Sequence, residues 1–326
     1  MKIKAVMLYT ILTFCLFAKN LPAADFKLKG WVEDKMSVSG TDYTLGDIRE
    51  LRLMLDSSLA KQITFTGQVY GKLFLGDTAV TADSELRLDR ALLTVNSNKT
   101  TIRIGRQRLA WGTGFIWNPT DIFNTVDLTD LKYTRKGIDA VEIVNYPSDL
   151  SALSCLVTFS ENEITRVDKF AFKGKTNIKN CDMSLSLISQ TEGRIDKIGA
   201  DFSGTIFNLF GLRAEQLYDI SLDKLDISVG SDYRFSEHIY AFTEYYRNEL
   251  AVNNMIKNYL YLGVSYIVDE LTTIGTGIVL DLDTSMALFS GNLEYSLSND
   301  TYLNLSFNFY SMGIQNTHYL KLRFNF

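Results

Sequence analysis

The sequence predicts an all-β protein: a transmembrane antiparallel β-barrel of about 18 strands, with 16 as the alternative, and one loop folded inward to constrict it. Three observations predict it. Segments of about ten residues recur with apolar side chains at every second position, the period of a strand with one apolar and one wet face. No apolar run after residue 24 approaches the ~18 residues of a membrane-spanning helix. The chain ends in THYLKLRFNF, which sets His318, Leu320, Leu322, Phe324 and Phe326 on one face and closes on an aromatic residue.

At the amino end, Lys2 and Lys4 precede the apolar run Ala5–Ala18 and then Pro22-Ala23-Ala24. This is the three-part pattern of a secretory signal peptide, residues 1–24, with cleavage expected after Ala24. The other reading, a membrane anchor, meets the objection that the run falls short of the ~20 residues a spanning helix needs. Residues 25–326 then read as one continuous barrel domain, since no linker, charge block or low-complexity tract divides them.

Strands are expected to start near Phe26, Ile48, Ile63, Glu85, Thr100, Gly137, Ser151, Asp168, Asn180, Arg194, Phe207, Lys224, Ile239, Lys257, Leu271, Ser285, Tyr302 and Thr317. An even number returns both chain ends to one side, as single-chain bacterial barrels require. Short turns at 59–62, 97–99, 147–149, 236–238, 268–270 and 297–300 alternate with longer polar connections. That asymmetry separates periplasmic turns from extracellular loops. Pro119 and Pro147 both fall in connections, where a missing donor breaks no ladder. Tyrosines towards segment ends, among them Tyr70, Tyr146, Tyr218, Tyr266 and Tyr302, suit aromatic girdles at the two interfaces.

Composition narrows the function. Loss of residues 1–24 leaves 30 of the 33 basic residues against 38 acidic ones, a net charge of −8. Nucleic-acid binders lean the other way, so no nucleic-acid partner is expected. Cys155 and Cys181 sit among apolar residues and read as packed or lipid-facing side chains, with no disulfide or metal role. The wet face carries Glu33, Glu50, Arg52, Glu142, Asp201, Arg213, Glu215, Asp226 and Arg323, among other charges. Burying them dry would cost several kcal/mol per ion, whereas a lumen holding water removes that penalty.

One segment departs from the pattern. RIGRQRLAWGTGFIWNPTDIFN, Arg103–Asn124, runs from the fifth strand into the longest connection, about 110–136. A solvated outer loop has no use for Trp111, Phe115, Ile116, Trp117, Ile122 and Phe123, and the inner wall is the surface on which they can pack. Trp111, Trp117, Pro119 and Phe123 are the expected anchors. Asn118 as cap, Pro119 at the first position and Asp121 beside free amides predict a short helix from Pro119 to about Asn124; a plain surface turn is the alternative. Gly112 and Gly114 let the backbone turn back over the pore.

The arginines leave two readings open. If Ile102 and Ile104 face lipid, strict alternation sends Arg106 and Arg108 there too, at roughly 2–4 kcal/mol each near the midplane. A bulge at Gly105 would turn both into the lumen beside Arg90 and Arg103. Asp121, Asp127 and Asp130 of the loop would then face them, making a transverse field across a constriction. In the other reading Arg106 and Arg108 lie at the outer rim against lipopolysaccharide phosphates.

The segment GRQRLAWGTGFIWNPTDIFN, followed by RKGIDAVEI at Arg135–Ile143, resembles the Gly-Arg-Gln, Trp-Gly and Asn-Pro-x-Asp series of a porin-like family of Gram-negative outer-membrane β-barrels, distantly akin to alginate-export proteins and substrate-specific porins. The resemblance spans about Glu85 to Tyr146; elsewhere the match is the general barrel pattern. It implies a channel in the outer membrane of a Gram-negative-type bacterium, passing small hydrophilic solutes or ions by passive diffusion. General porins fold the corresponding loop inward. The apolar face of Leu320, Leu322, Phe324 and Phe326 likewise resembles the assembly signal of outer-membrane barrels. That implies barrel-assembly machinery and periplasmic chaperones as partners, with outer-membrane lipid and lipopolysaccharide around the folded barrel; an oligomer is compatible with it.

Two rivals come from other classes. A plugged structural or adhesive barrel would use long polar loops, and most connections here are short. An outer-membrane hydrolase would need an activated nucleophile or water. The two histidines, His238 in a turn and His318 on the lipid-facing side, are not placed beside a Ser–carboxylate pair. No enzyme activity, catalytic residue, cofactor or metal is expected.

Overall fold

The computed structural model describes residues 25–39, 44–74, 84–124, 136–160, 166–190, 194–207, 209–250, 256–311 and 317–326; the expected signal peptide lies outside them. The strands are β1 (Asp25–Ser39), β2 (Thr44–Ala60), β3 (Ile63–Phe74), β4 (Glu85–Ser97), β5 (Thr100–Gln107), β6 (Ile138–Ser148), β7 (Ser151–Phe159), β8 (Val167–Ile178) and β9 (Cys181–Ser189). They continue as β10 (Lys197–Ile206), β11 (Phe210–Asp219), β12 (Lys224–Arg234), β13 (Ile239–Asn248), β14 (Lys257–Ile267), β15 (Thr272–Asp281), β16 (Ala287–Ser298), β17 (Thr301–Tyr310) and β18 (Thr317–Asn325). Each pairs antiparallel with the next, and β1 also pairs with β18, so all 18 form one closed barrel. Closure leaves no unpaired edge.

The seam follows from the end of the chain. Gly30 and Phe326 exchange backbone hydrogen bonds of 2.8 and 2.9 Å. The Phe326 ring lies where a side chain at position 30 would stand, so the terminal aromatic caps the seam against a bare backbone. Leu320, Leu322, Phe324 and Phe326 all face outward and are exposed.

Period-2 alternation decides which face each residue takes. Along β6, Ala140, Glu142 and Val144 are buried on the inner face while Ile143 stands exposed on the outer one. Connections from even to odd strands are short turns, such as Lys179–Asn180, where φ values of 51° and 64° give the two-residue geometry that suits twisted hairpins. Longer connections occupy the other rim, and residues 108–137 between β5 and β6 form the longest. Tyr70 departs from the girdle expectation: it is buried on the inner wall at 6% exposure.

The expected bulge is displaced by one strand. Gly105 has a φ of 113°, yet β5 keeps unbroken register with β6 from Thr100–Asn145 to Gln107–Ile138. The irregularity lies in β4, where Gln68 pairs with Arg90 and Val69 with Leu88, leaving Asp89 as the extra residue. An extra residue shifts the phase of everything beyond it. Arg87 and Arg90, three apart, can therefore both face inward.

Candidate pore constriction

Residues 108–124, which follow β5, turn into the barrel and lie along its inner wall. Ala140, Leu156, Ala171, Ile188 and Leu217, from β6, β7, β8, β9 and β11, make an apolar pad with Leu109 and Trp111, and Ile122 and Phe123 pack against it. Trp111 meets Phe123 edge to face at 4.8 Å, with the Lys173 ammonium 5.2 Å from its ring. Further along, Trp117 is stacked on Tyr246 at 5.5 Å and Tyr259 at 5.8 Å. Of the four expected anchors, Trp111, Trp117 and Pro119 are buried, and Phe123 is partly buried against the pad.

Two carboxylates fix the backbone between those anchors. Glu215 on β11, 3% exposed, accepts from the N–H groups of Thr113, Gly114 (2.6 Å) and Thr120 (3.4 Å), and from the Thr120 hydroxyl (2.9 Å). Glu244 on β13, fully buried, accepts from the N–H groups of Phe115, Ile116 (3.3 Å) and Trp117 (2.7 Å). Backbone amides without a secondary-structure partner thus find charge-assisted ones, worth about 1.5–3 kcal/mol each. Arg213 Nη1 donates to the Thr113 carbonyl at 2.9 Å, and its guanidinium lies 4.1 Å from the Phe115 ring.

The glycines answer to this geometry. Gly112 has a φ of 89°, and a Cβ there would stand 2.6 Å from Glu215 Oε2. A Cβ at Gly114 would stand 2.0 Å from the Trp117 carbonyl oxygen. Any side chain at either position collides with the latch itself.

The expected helix over Pro119–Asn124 is two successive turns. Asp121 N–H bonds the Asn118 carbonyl at 2.9 Å and Asn124 N–H the Asp121 carbonyl at 3.4 Å. The Thr120 N–H and hydroxyl, at the start of these turns, both donate to Glu215. Asn124 then ties the loop to its own root, its amide donating to the Leu109 carbonyl (2.7 Å) and Asp121 Oδ1 (2.8 Å). Asp121, 5% exposed, is buried in the body of the loop. Asp127 and Asp130 lie outside the described residues.

Across from the loop the wall is cationic. Aromatic rings alternate with guanidinium groups over successive strands. Arg323 on β18 lies 4.5 Å from the Trp31 ring on β1, Arg52 on β2 lies 5.2 Å from Trp31 and 5.3 Å from the Tyr70 ring on β3, and Arg87 on β4 lies 4.2 Å from Tyr70. Asp89, buried by the bulge, receives Arg108 and, at 3.5 Å, Arg87. Arg87 also reaches Glu85 at 2.7 Å, and Arg323 reaches Glu33 at 2.6 Å. The Nε atoms of Arg52, Arg90 and Arg108 are buried without a hydrogen-bond partner among the described residues.

The expected arginine set therefore divides. Arg90 and Arg108 belong to this cationic wall, and Arg103 stands on it further down, bonded to Glu142 at 2.7 Å. Arg108 follows the end of β5, where alternation no longer binds it. Arg106 does not enter the lumen. It shares the outward set with Ile102 and Ile104, and forms a two-pronged pair with Asp139, its cross-strand neighbour, at 3.1 and 2.8 Å. Pairing with Asp139 lowers the cost of placing Arg106 on the outer face.

Sequence reasoning missed Glu244 and Arg87 as parts of the site. Both signals were present, Glu244 on the inner parity of β13 and Arg87 on the far side of a bulge; only the bulge's position was hidden.

No protein-family model and no curated relative matches the sequence. Solved structures do match. An engineered variant of the Rhodopseudomonas blastica porin aligns over 93% of this chain and 100% of its own at 12% identity with a TM-score of 0.56, and a triple mutant of the same porin does so over the same shares at 12% and 0.55. A further match, from work on asymmetric conductivity of engineered proteins, covers the same shares at 11% and 0.55. At such identities the likeness is one of fold: this chain is a closed β-barrel with the architecture of bacterial porins.

Proposed function

We propose that the protein is an outer-membrane channel of porin type, through which small hydrophilic solutes or ions diffuse passively. The observation that carries this reading is the division of the inner wall: one side holds a loop by its backbone, the other presents Arg52, Arg87, Arg90 and Arg108, with Asp89 and Glu85 the only carboxylates paired to them among the described residues. Buried guanidinium groups that keep unmet donors suit a lumen carrying water and anions. The exposed apolar outer face, from Leu28 round to Phe324, suits a lipid surround. Arginine excess across the constriction makes the channel prefer anions.

Planar bilayers test the reading. Folded, heat-modifiable protein should add discrete conductance steps, with a reversal potential in a salt gradient on the anion side. Protein that inserts as a folded barrel and adds no steps would support the plugged, structural alternative instead.

A further inference from the structure

The rim of short turns sorts charge by position. Four turns follow one another from β2 to β9, at residues 61–62, 98–99, 149–150 and 179–180, each two residues long. They are knit together: the Asn96 N–H donates to the Gln62 carbonyl at 2.8 Å, the Tyr146 N–H to the Lys99 carbonyl at 2.8 Å and the Asn177 N–H to the Leu150 carbonyl at 2.9 Å. Three of the turns carry an exposed lysine, Lys61, Lys99 and Lys179, and none of these ammonium groups has a carboxylate partner among the described residues. Asp149 is the only acid in the four turns. On the other half of the rim, the turns after β12, β14 and β16 carry Glu237, Asp269, Glu270 and Asp300 instead.

The depth of the lysines follows from the strands above them. β5, β7 and β9 have eight, nine and nine residues, and a strand that crosses a bilayer needs ~9–11. No length is left over to lift the Lys99 and Lys179 turns clear of the membrane, and Lys61 shares their level through the Asn96–Gln62 bond. Leu150 and Ile178, in or next to the turns, are exposed at 62% and 52% and mark the edge of the hydrocarbon. A lysine held there lays its stem along apolar surface and keeps its ammonium among the headgroups. Neighbouring strands lie ~4.8 Å apart, so successive turns stand about 10 Å from one another. That is close to the ~8 Å screening length at physiological salt, and the fields of Lys61 and Lys99 overlap.

We propose that this arc is a binding surface for anionic phospholipid headgroups of the periplasmic leaflet, and that the acidic arc across the rim excludes them. Ammonium groups with no partner of their own favour a lipid of net negative charge over a zwitterionic one. The inference needs the barrel to lie in a bilayer and does not need it to conduct, so it fails or stands apart from the channel reading.

The test is local quenching in bilayers of defined composition. In protein carrying Cys155→Ala and Cys181→Ala, which removes the free thiols, a fluorophore is attached through Gln62→Cys in the basic arc or Asn299→Cys in the acidic one. Phosphatidylglycerol or phosphatidylcholine carries a nitroxide near the top of its acyl chain. At position 62, half-quenching should need about fivefold less phosphatidylglycerol than phosphatidylcholine, the effect of one lysine near an anionic surface; at position 299 it should need more. Lys61→Gln, Lys99→Gln and Lys179→Gln together should bring the two lipids level at position 62, with heat-modifiable migration showing the barrel folded. Equal quenching by the two lipids at position 62 in the parent, or an unchanged preference in the triple variant, overturns the proposal. So does lysine-dependent co-sedimentation with peptidoglycan in place of the lipid preference, which would assign the arc to the cell wall.

Discussion

The two sides of the lumen show opposite uses of charge. On the covered side, from β6 to β16, carboxylates are buried at Glu215 and Glu244 and consumed by the amides of one loop. On the bare side, from β18 through β1 to β5, guanidinium groups are held by the faces of Trp31 and Tyr70 and retain donors unmet among the described residues. Full satisfaction makes a charge structural; partial satisfaction leaves it able to act on what passes.

The comparison breaks most visibly if the covered side is released. Replacing Glu215 and Glu244 together by alanine removes every side-chain acceptor described above for residues 113–117, and hydrogen bonds of this kind are worth about 1.5–3 kcal/mol each. The loop should detach, turning steady current steps into noisy ones with several levels. Steps as quiet as those of the parent would show that the aromatic anchors alone suffice.

Next comes the bare side. Arg52→Ala with Arg90→Ala removes lumenal charge without touching the loop. Reversal potentials should move towards cations, and the shift should fade as salt shortens the screening length from ~8 Å at physiological strength to ~3 Å at 1 M. A shift that persists unchanged in high salt would point to altered pore shape.

A smaller effect is expected at Gly114→Ala. Its Cβ would meet the Trp117 carbonyl at 2.0 Å, so the latch must shift while the pad holds. Conductance should become heterogeneous between channels; uniform parental steps would mean that the backbone adapts freely. Least of all should follow from Arg106→Ala, since Arg106 and Asp139 lie on the outer face. Its reversal potential should equal the parent's, whereas Arg108→Ala should shift towards cations.

What could be read from sequence divides along the same line. Strands were legible because a barrel wall repeats one rule, apolar out and polar in, and a closing Phe326 needs no partner beyond the first strand. The loop was legible because Trp111, Trp117 and Phe123 have no place in solvated chain. Its local form was not, since the Asn118-Pro119 signal serves a turn as well as a helix. The arginines failed for a different reason: one extra residue at Asp89 decides the face of Arg87, and nothing in ELRLDRALL marks where that residue sits. Alternation also breaks off at the end of β5, which frees Arg108 and leaves Arg106 outside.

The claim on which the rest depends is that the loop occupies the lumen opposite the arginine wall. Single-channel conductance of a variant lacking residues 112–124 tests it most directly, with heat-modifiable migration checked on the same protein. The structure predicts larger steps, by about twofold or more, and weaker ion preference, because the narrowing that focuses the field is gone. Parental step size and parental reversal potential from correctly folded deletion channels would contradict it and place the loop outside the conduction path.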